Sequence, residues 1–349
     1  MKKVLAIALA SAVLFGSLAA FVSCGKKIQR YSRTDITVFD TQTVILGYDV
    51  NEEEFNKKTD IILEKLTYYH RLYDIYYDYE GTNNLTTVND SAGKSPVKVD
   101  QAIIDLLEYA VEMYELTEGM TNVAMGSVLK IWHRYRSDGI DDPENALLPP
   151  IKDLREASRH CNIEDIIIDK ENKTVYLADE KMSLDVGAVA KGYATQMTAE
   201  YIKEQGWSGF ALSVGGNVKC IGMRADGEKW EVGIQNPDLT SDKAYLTKVY
   251  LSTESLVTSG TYQRFYTVDG KEYHHIINPH TLMPENNFAS VSIIADHSGL
   301  ADALSTALFN MTYEEGSAFV DSLDGVNAVW VFENGEIKTT KGFEKLEKQ

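Results

Sequence analysis

Between Phe210 and Ile294 the chain is written in short segments of strand length. Phe210–Val214, Lys219–Met223, Lys229–Gln235, Tyr245–Leu251, Arg264–Val268 and Ala289–Ile294 each run five to seven residues. Asp269-Gly270 supplies a hairpin turn, because Asp and Gly tolerate the positive φ that a tight two-residue loop needs. The first half follows a different rule. Phe55, Ile62, Leu66, Tyr69 and Tyr73 recur at helical spacing, and Asp100 is placed to cap a second helix through Ile103, Leu107, Ala110 and Tyr114. Helices and strands therefore come in blocks, not as alternating β-α-β units, and the fold class is α+β. Thr37–Leu46 alternates as a strand, Val128–Tyr135 reads as a short helix, and 138–150 as a charged, proline-ended loop. Ile166–Asp169 with Thr174–Leu177 reads as a hairpin. Helices over Leu300–Met311 and Glu314–Ser322 precede a last hairpin turning at Asn334-Gly335.

The N-terminus carries a separate signal. Met1-Lys2-Lys3 precedes an apolar run from Val4 to Val22, then Ser23-Cys24-Gly25. Basic residues, an apolar core and small residues before a cysteine are the parts of an export signal, here of the lipoprotein kind with Cys24 as the lipidated residue. The alternative is an uncleaved anchor, since nineteen apolar residues nearly span a bilayer. The body is acidic: 34 Lys+Arg against 52 Asp+Glu give a formal charge of −18. Such a surface repels nucleic acid and anionic lipid, so a phosphate ligand must be held by a local device. Cys161 and Cys220 are the other cysteines, too few for a disulfide scaffold.

Met182 to Tyr193 has the form of such a device. A short apolar strand leads into Asp185, Gly187 and a small-residue turn, then into a helix with Lys191 near its start. A helix start offers unpaired N–H groups and a positive dipole end to an anion. Junctions of this kind are also common in plain sheet proteins. G-x-G-x-x-G and G-x-x-x-x-G-K-[ST] are absent, so the chain carries neither a dinucleotide fingerprint nor a P-loop.

Four further stretches stand out. Gly215-Gly216-Asn217 and Thr258-Ser259-Gly260 read as turns, the second with hydroxyls able to face a phosphate. In Tyr273-His274-His275-Ile276 a strand puts the adjacent histidines on opposite faces, so one can face a ligand as a base while the other packs. Asp302 and Thr306 are i and i+4 on a helix. One carboxylate and one hydroxyl suit Mg²⁺, which keeps waters and leans on substrate phosphates, or else they are a helix acid and a packed threonine.

Together these stretches resemble the ApbE-type FAD:protein FMN transferases, formerly called thiamine-biosynthesis lipoproteins. L-D-V-G-A-V-A-K-G-Y, V-G-G-N, W-E-V-G-I-Q-N-P, T-S-G-T-Y, H-H-I-I-N-P-H-T and A-D-A-L-S-T occur in the family's order, over a region from about Thr37 to the C-terminal hairpin. The resemblance implies a two-lobed α+β fold with FAD in a cleft, and Mg²⁺-dependent transfer of FMN from FAD to a threonine of an exported acceptor, with release of AMP. It implies a signal peptide over 1–23, a tether over 24–34, and a transferase domain over 35–349 with a weak lobe boundary near 138–150. The protein would sit in the bacterial cell envelope, lipid-anchored at Cys24 and outside the cytoplasm.

Matched by motif, Phe39, Tyr76, Met120, Thr121, Asn122, Asp185 and Lys191 are FAD contacts. The resemblance further implies that Ala188, through its carbonyl, and Asp302 and Thr306 would hold Mg²⁺, and that His275 would contact the ligand and activate the acceptor hydroxyl. The sequence departs from the family pattern in three places. H-I-I-D-P-x-T-G becomes H-I-I-N-P-H-T-L, replacing an acid by Asn278 and a glycine by Leu282, and the acid of G-x-F-D becomes Asn122. Burial aside, His275 without its acid is expected to titrate near its ordinary value of about 6.5. These departures keep two rivals open: a Mg²⁺-dependent FAD pyrophosphatase and a non-catalytic FAD-binding lipoprotein.

Overall fold

The computed structural model describes residues 28–348. The apolar run and Cys24 lie outside the described residues. The chain begins with β1 (Gln29–Asp35) and β2 (Thr43–Asp49), followed by α1 (Glu52–Tyr73), α2 (Leu85–Asp90), β3 (Val97–Lys98), α3 (Gln101–Leu116), α4 (Gly126–Asp141) and α5 (Ile151–Ala157). Next come β4 (Ile166–Asp169), β5 (Thr174–Leu177), α6 (Ala190–Glu204), β6 (Phe210–Val214), β7 (Asn217–Ile221), β8 (Trp230–Gln235) and β9 (Tyr245–Leu251). The rest is β10 (Ser255–Gly260), β11 (Phe265–Val268), β12 (Lys271–His274), β13 (Phe288–Ala295), α7 (Ser298–Phe309), α8 (Tyr313–Asp321), β14 (Asn327–Phe332) and β15 (Ile337–Thr339).

An eight-stranded sheet in the order β1-β2-β6-β7-β10-β13-β14-β15 organises the molecule. Each neighbouring pair in it is antiparallel, which confirms the α+β class. Its central strands are buried on both faces. Ile45, Phe210 and Leu212 pack with Phe55, Ile62 and Leu66 of α1 and with Ile202 of α6. Leu46, Ala211 and Val218 face the other way, onto Trp230, Val232 and Val249 of the β8–β9 hairpin. That double burial explains apolar runs such as F-A-L-S-V. Further along, β10 and β13 seat α7 through Val257, Val291, Ile293, Leu304 and Leu308. Among the described residues no helix is long and apolar enough to cross a membrane, and Cys161 and Cys220 are free thiols.

Several local expectations change. Residues 29–35 form edge strand β1, so the tether expected over 24–34 does not extend through them. The strand expected over Thr37–Leu46 begins only at Thr43, because Phe39 and Asp40 both take positive φ (54° and 48°) and turn the chain. The short helix over Val128–Tyr135 runs from Gly126 to Asp141. The front of 138–150 is therefore helical, and the segment is pinned where Tyr266 Oη donates to the Leu147 carbonyl at 3.1 Å. Thr258-Ser259-Gly260 lies in strand β10, not in a turn. Its hydroxyls are engaged inside the protein: Thr258 with Ser292 and Ser259 with Ser305, both at 2.8 Å. Gly215-Gly216 is the tight hairpin between β6 and β7, with φ of 58° and 92°.

Candidate functional site

The approach to α6 is extended, but of the expected strand only one parallel bridge forms, Met125 to Ser183. Side chains do what a strand partner would. Asn89 accepts from the Leu184 N–H at 2.7 Å and donates to the Leu184 carbonyl at 3.1 Å. Gly126 makes the close approach possible, since a Cβ there would strike the Ser183 carbonyl. Asp185 then accepts from the Gly187 N–H at 2.9 Å and closes the turn. Lys191 Nζ folds back onto the Gly187 carbonyl at 3.2 Å, leaving Gly187 and Ala188 on the outside of the turn.

Helix α6 starts at Ala190, and Val189 before it gives no side-chain cap. The missing acceptor comes from α7, where Asp302 Oδ2 takes the Gly192 N–H at 2.8 Å and lies 4.0 Å from Lys191 Nζ. Asp302 is 5% exposed. Burial pushes its carboxyl above the usual range, while Lys191, the Gly192 N–H and the Asn217 amide oppose that. A buried carboxylate beside one ammonium at 4.0 Å is short of positive charge. Thr306 sits one turn on, half-buried. Among the described residues no group of three or more His, Cys, Asp or Glu is placed to hold a metal. The Asp302, Thr306 and Ala188 set is one carboxylate plus neutral oxygens, which fits Mg²⁺ completed by ligand phosphates.

His274 ends β12 and His275 follows it, and the two residues differ as their faces require. His274 is buried; its Nε2–H donates to the Glu285 carbonyl at 2.8 Å and its Nδ1 accepts from the Ile276 N–H at 3.2 Å. Both nitrogens serve the fold. His275 uses one. Its backbone N–H and its Nδ1 both meet the Arg264 carbonyl, at 3.1 and 3.2 Å. A carbonyl only accepts, so Nδ1 carries the proton and the Nε2 lone pair stays available. Burial first, then the Arg264 and Arg136 guanidiniums, push His275 down to about 3. The ordinary value expected with burial set aside therefore does not apply.

Asn278 does not stand behind His275 as the family's acid was expected to. Its Oδ1 accepts from the His280 and Thr281 N–H groups at 2.8 and 3.1 Å, and its Nδ2 donates to the Asn310 carbonyl at 3.1 Å. Only the amide can do the last of these. Leu282, in place of glycine, adopts φ of 62°. It is held there by burial beside Val128 and Trp132, and by its carbonyl, which accepts from Trp132 Nε1 at 3.0 Å.

The residues matched to flavin contacts fall into three groups. Tyr76, 60% exposed, reaches His133 Nδ1 at 3.4 Å, and His133 Nε2 lies 3.9 Å from Asp185. His133 thus joins Tyr76 to Asp185, and burial lowers its proton affinity against the pull of Asp185. Phe39 stands apart, its N–H donating to His70 at 3.2 Å. Met120 packs half-buried near α7. Thr121 is 1% exposed and gives its hydroxyl to the Ala303 carbonyl at 2.8 Å, beside Asp302. Asn122 accepts from the Ala124 N–H at 2.8 Å and donates to the Cys161 carbonyl at 3.1 Å. The Thr121 and Asn122 side chains therefore build the loop. His133, Arg136 and Arg264 were missed by the sequence reading; His133 and Arg136 share one face of α4 at i, i+3 spacing, the one signal that marks them.

An antiparallel sheet, a helix start capped from the neighbouring helix and a neutral histidine with a free ring nitrogen define the site of an α+β protein. The family model described as ApbE family matches residues 34–330, and the chain belongs to that family. It is 34% identical over 272 residues to a protein named FAD:protein FMN transferase from Treponema pallidum, covering 74% of this chain and 73% of the relative. A protein of the same name from Klebsiella pneumoniae is 27% identical over 87% of this chain and 92% of its own. The crystal structure of the ApbE protein from Thermotoga maritima superposes with a TM-score of 0.79 at 27% identity, covering 92% of this chain and all of that one. The flavin transferase ApbE from Vibrio cholerae, at 20% identity and TM-score 0.73, shares the fold over 92% of this chain and all of that one.

Proposed function

We propose that this protein is a Mg²⁺-dependent FAD:protein FMN transferase, which moves FMN from FAD onto a threonine hydroxyl of an exported acceptor and releases AMP. The observation that carries the reading is His275, held by the Arg264 carbonyl with Nε2 free, in a chain of this family. In the proposed step the acceptor hydroxyl gives its proton to Nε2, its oxygen bonds to the FMN phosphorus, and the pyrophosphate bond breaks to free AMP. Lys191 pairs with the phosphates, Asp185 and Tyr76 orient the ligand, and Phe39 and Met120 border the flavin. Asp302, Thr306 and the Ala188 carbonyl would hold Mg²⁺, which when bound neutralises pyrophosphate charge.

The apolar run and Cys24 support anchoring of the exported body at a membrane by lipid. Cys24→Ser should release or misprocess the protein while a purified body stays active; a wild-type mature protein without lipid would end that reading. The activity is tested by incubating protein, FAD, Mg²⁺ and exported flavoproteins of the same organism. A covalently fluorescent acceptor is expected. Free FMN and AMP without labelling would make the protein a pyrophosphatase, and intact FAD would make it a binding protein.

A further inference from the structure

His70, near the end of α1, lies at the meeting point of two segments that the proposed function places against flavin. Its Nδ1 accepts from the Phe39 N–H at 3.2 Å, and its ring meets the Phe39 ring edge-on at 5.5 Å. Its Nε2 lies 3.3 Å from Tyr79 Oη, which donates to Asp74 Oδ2 at 2.7 Å. The other Asp74 oxygen accepts from the Tyr76 and Tyr77 N–H groups at 2.7 and 3.1 Å. These bonds have one consistent direction. Because a backbone N–H can only donate, Nδ1 is bare, and the proton sits on Nε2 and points at Tyr79.

Phe39 and Asp40 take φ of 54° and 48°, a conformation non-glycine residues adopt rarely and only where neighbours impose it. The His70 bond is one such constraint. The Gly215 turn is another, since its N–H bonds the Gln42 carbonyl at 3.0 Å and its Cα faces Thr41 with no room for a Cβ. Tyr76 and Tyr77 are exposed aromatics whose backbone is fixed from beneath by Asp74, which is buried. Arg71 lies over the Tyr79 ring at 5.6 Å, and Asp40 adds its charge nearby.

We propose that His70 is a positioning residue, a latch that locks the Phe39 turn and the Tyr76 loop to each other so that both meet the flavin in a fixed relation. The proposal rests on the reading that Phe39 and Tyr76 contact flavin. The two nitrogens can be separated by isosteres: asparagine keeps an acceptor at the Nδ1 position, and glutamine keeps a donor at the Nε2 position.

The test is FAD affinity, measured by quenching of flavin fluorescence, with FAD KM and kcat followed beside it. H70N and H70Q should each weaken FAD binding about 3- to 10-fold, the worth of one hydrogen bond, and H70A by roughly the product. At saturating FAD kcat should hardly change. Y79F should cost at least as much as H70N, because it cuts that link and the Tyr79–Asp74 bond as well, and H70N should add nothing in the Y79F background. H70A with wild-type affinity, while Y76A binds FAD weakly, overturns the latch alone. Equal losses in the three His70 variants that follow their melting temperatures also overturn it, since that marks a merely structural residue. Unchanged binding in Y76A removes the flavin reading and the latch with it.

Discussion

Asp302 of α7 caps α6: its Oδ2 accepts the Gly192 N–H at 2.8 Å across two helices far apart in sequence. The carboxylate thereby supplies a helix start with the acceptor it lacks, and is buried at the cost of its own hydration. Cap and charge are separable. In Asp302→Asn an amide oxygen can still take the Gly192 N–H, while the buried charge is gone. The expected outcome is an unchanged or raised melting temperature together with a loss of FMN transfer of at least about 10²-fold, because metal stabilisation of charge is worth several kcal/mol. Near wild-type transfer by this variant would remove Asp302 from the metal site.

The same contact makes Gly192 irreplaceable by any larger residue. A Cβ there would lie 2.5 Å from both the Asp302 Cβ and the Ser298 carbonyl oxygen, one of them rigid backbone. Gly192→Ala should therefore push α7 off α6 and cost about 1–3 kcal/mol, as overpacking does. Alanine's better helix propensity offsets at most about 1 kcal/mol of that. Chemical denaturation measures the difference.

What the sequence discloses depends on whether a signal is local. The β6, β9 and β13 strands were legible because apolar runs bounded by turns speak for themselves, and Asp100 does cap α3, accepting from the Ala102 N–H at 2.9 Å. Thr258-Ser259-Gly260 misled because small polar residues read as a turn, whereas Ser259 is matched to Ser305, 46 positions away. The strand into Asp185 misled for the converse reason: its partner is the Asn89 side chain, which no periodicity reports. His133 and Arg136 look like a solvated helix face until α4 packs onto hairpin β11–β12 through Trp132, Tyr266 and Val268. Asn278 was assigned to the histidine by motif, and its bonds go elsewhere.

Asn278→Asp tests that last point. The substitution restores the family's acid but turns the donor facing the Asn310 carbonyl into a second acceptor, at a residue 6% exposed. Leaving a buried carbonyl unsatisfied costs about 1–3 kcal/mol. The variant should melt lower, and its pH–rate profile should keep the wild-type acid limb, because Asn278 makes no bond to His275. A shifted limb at unchanged stability would show that the two side chains communicate.

Stability itself should depend on pH with a definite sign. Burial lowers His133, His274, His275 and His297 below the ordinary histidine value. Below about 6.5 the unfolded chain then binds protons that the folded one refuses, so folding stability falls as pH drops from there toward 3. Asp302, raised by burial, works in the opposite direction as its carboxyl ionises. Glu333 is raised as well, but Asp179 and Glu254 are held low and act with the four histidines, so net loss on acidification is expected, measured as melting temperature across pH 4 to 7. A melting temperature that rises over that range on acidification would contradict it.

The two histidines give the sharpest separation of fold from chemistry. His274 uses both nitrogens in backbone bonds, so His274→Ala should lose about 1–3 kcal/mol of stability and keep its rate once folded. His275→Ala should do the reverse, losing about 10²–10⁴-fold in transfer with FAD affinity nearly intact. The pH dependence refines the assignment. In the free protein His275 is held down to about 3, so kcat/KM should show no histidine limb near neutrality. Once a diphosphate ligand is bound, its charge opposes Arg264 and Arg136, and the proton affinity of Nε2 rises. The limb should then appear in kcat, which reports the complex, and the His275 ring signal in an NMR titration should move to higher pKa when FAD is added. A His275→Ala protein that still labels its acceptor at near wild-type rate, with FAD and Mg²⁺ saturating, would require another base.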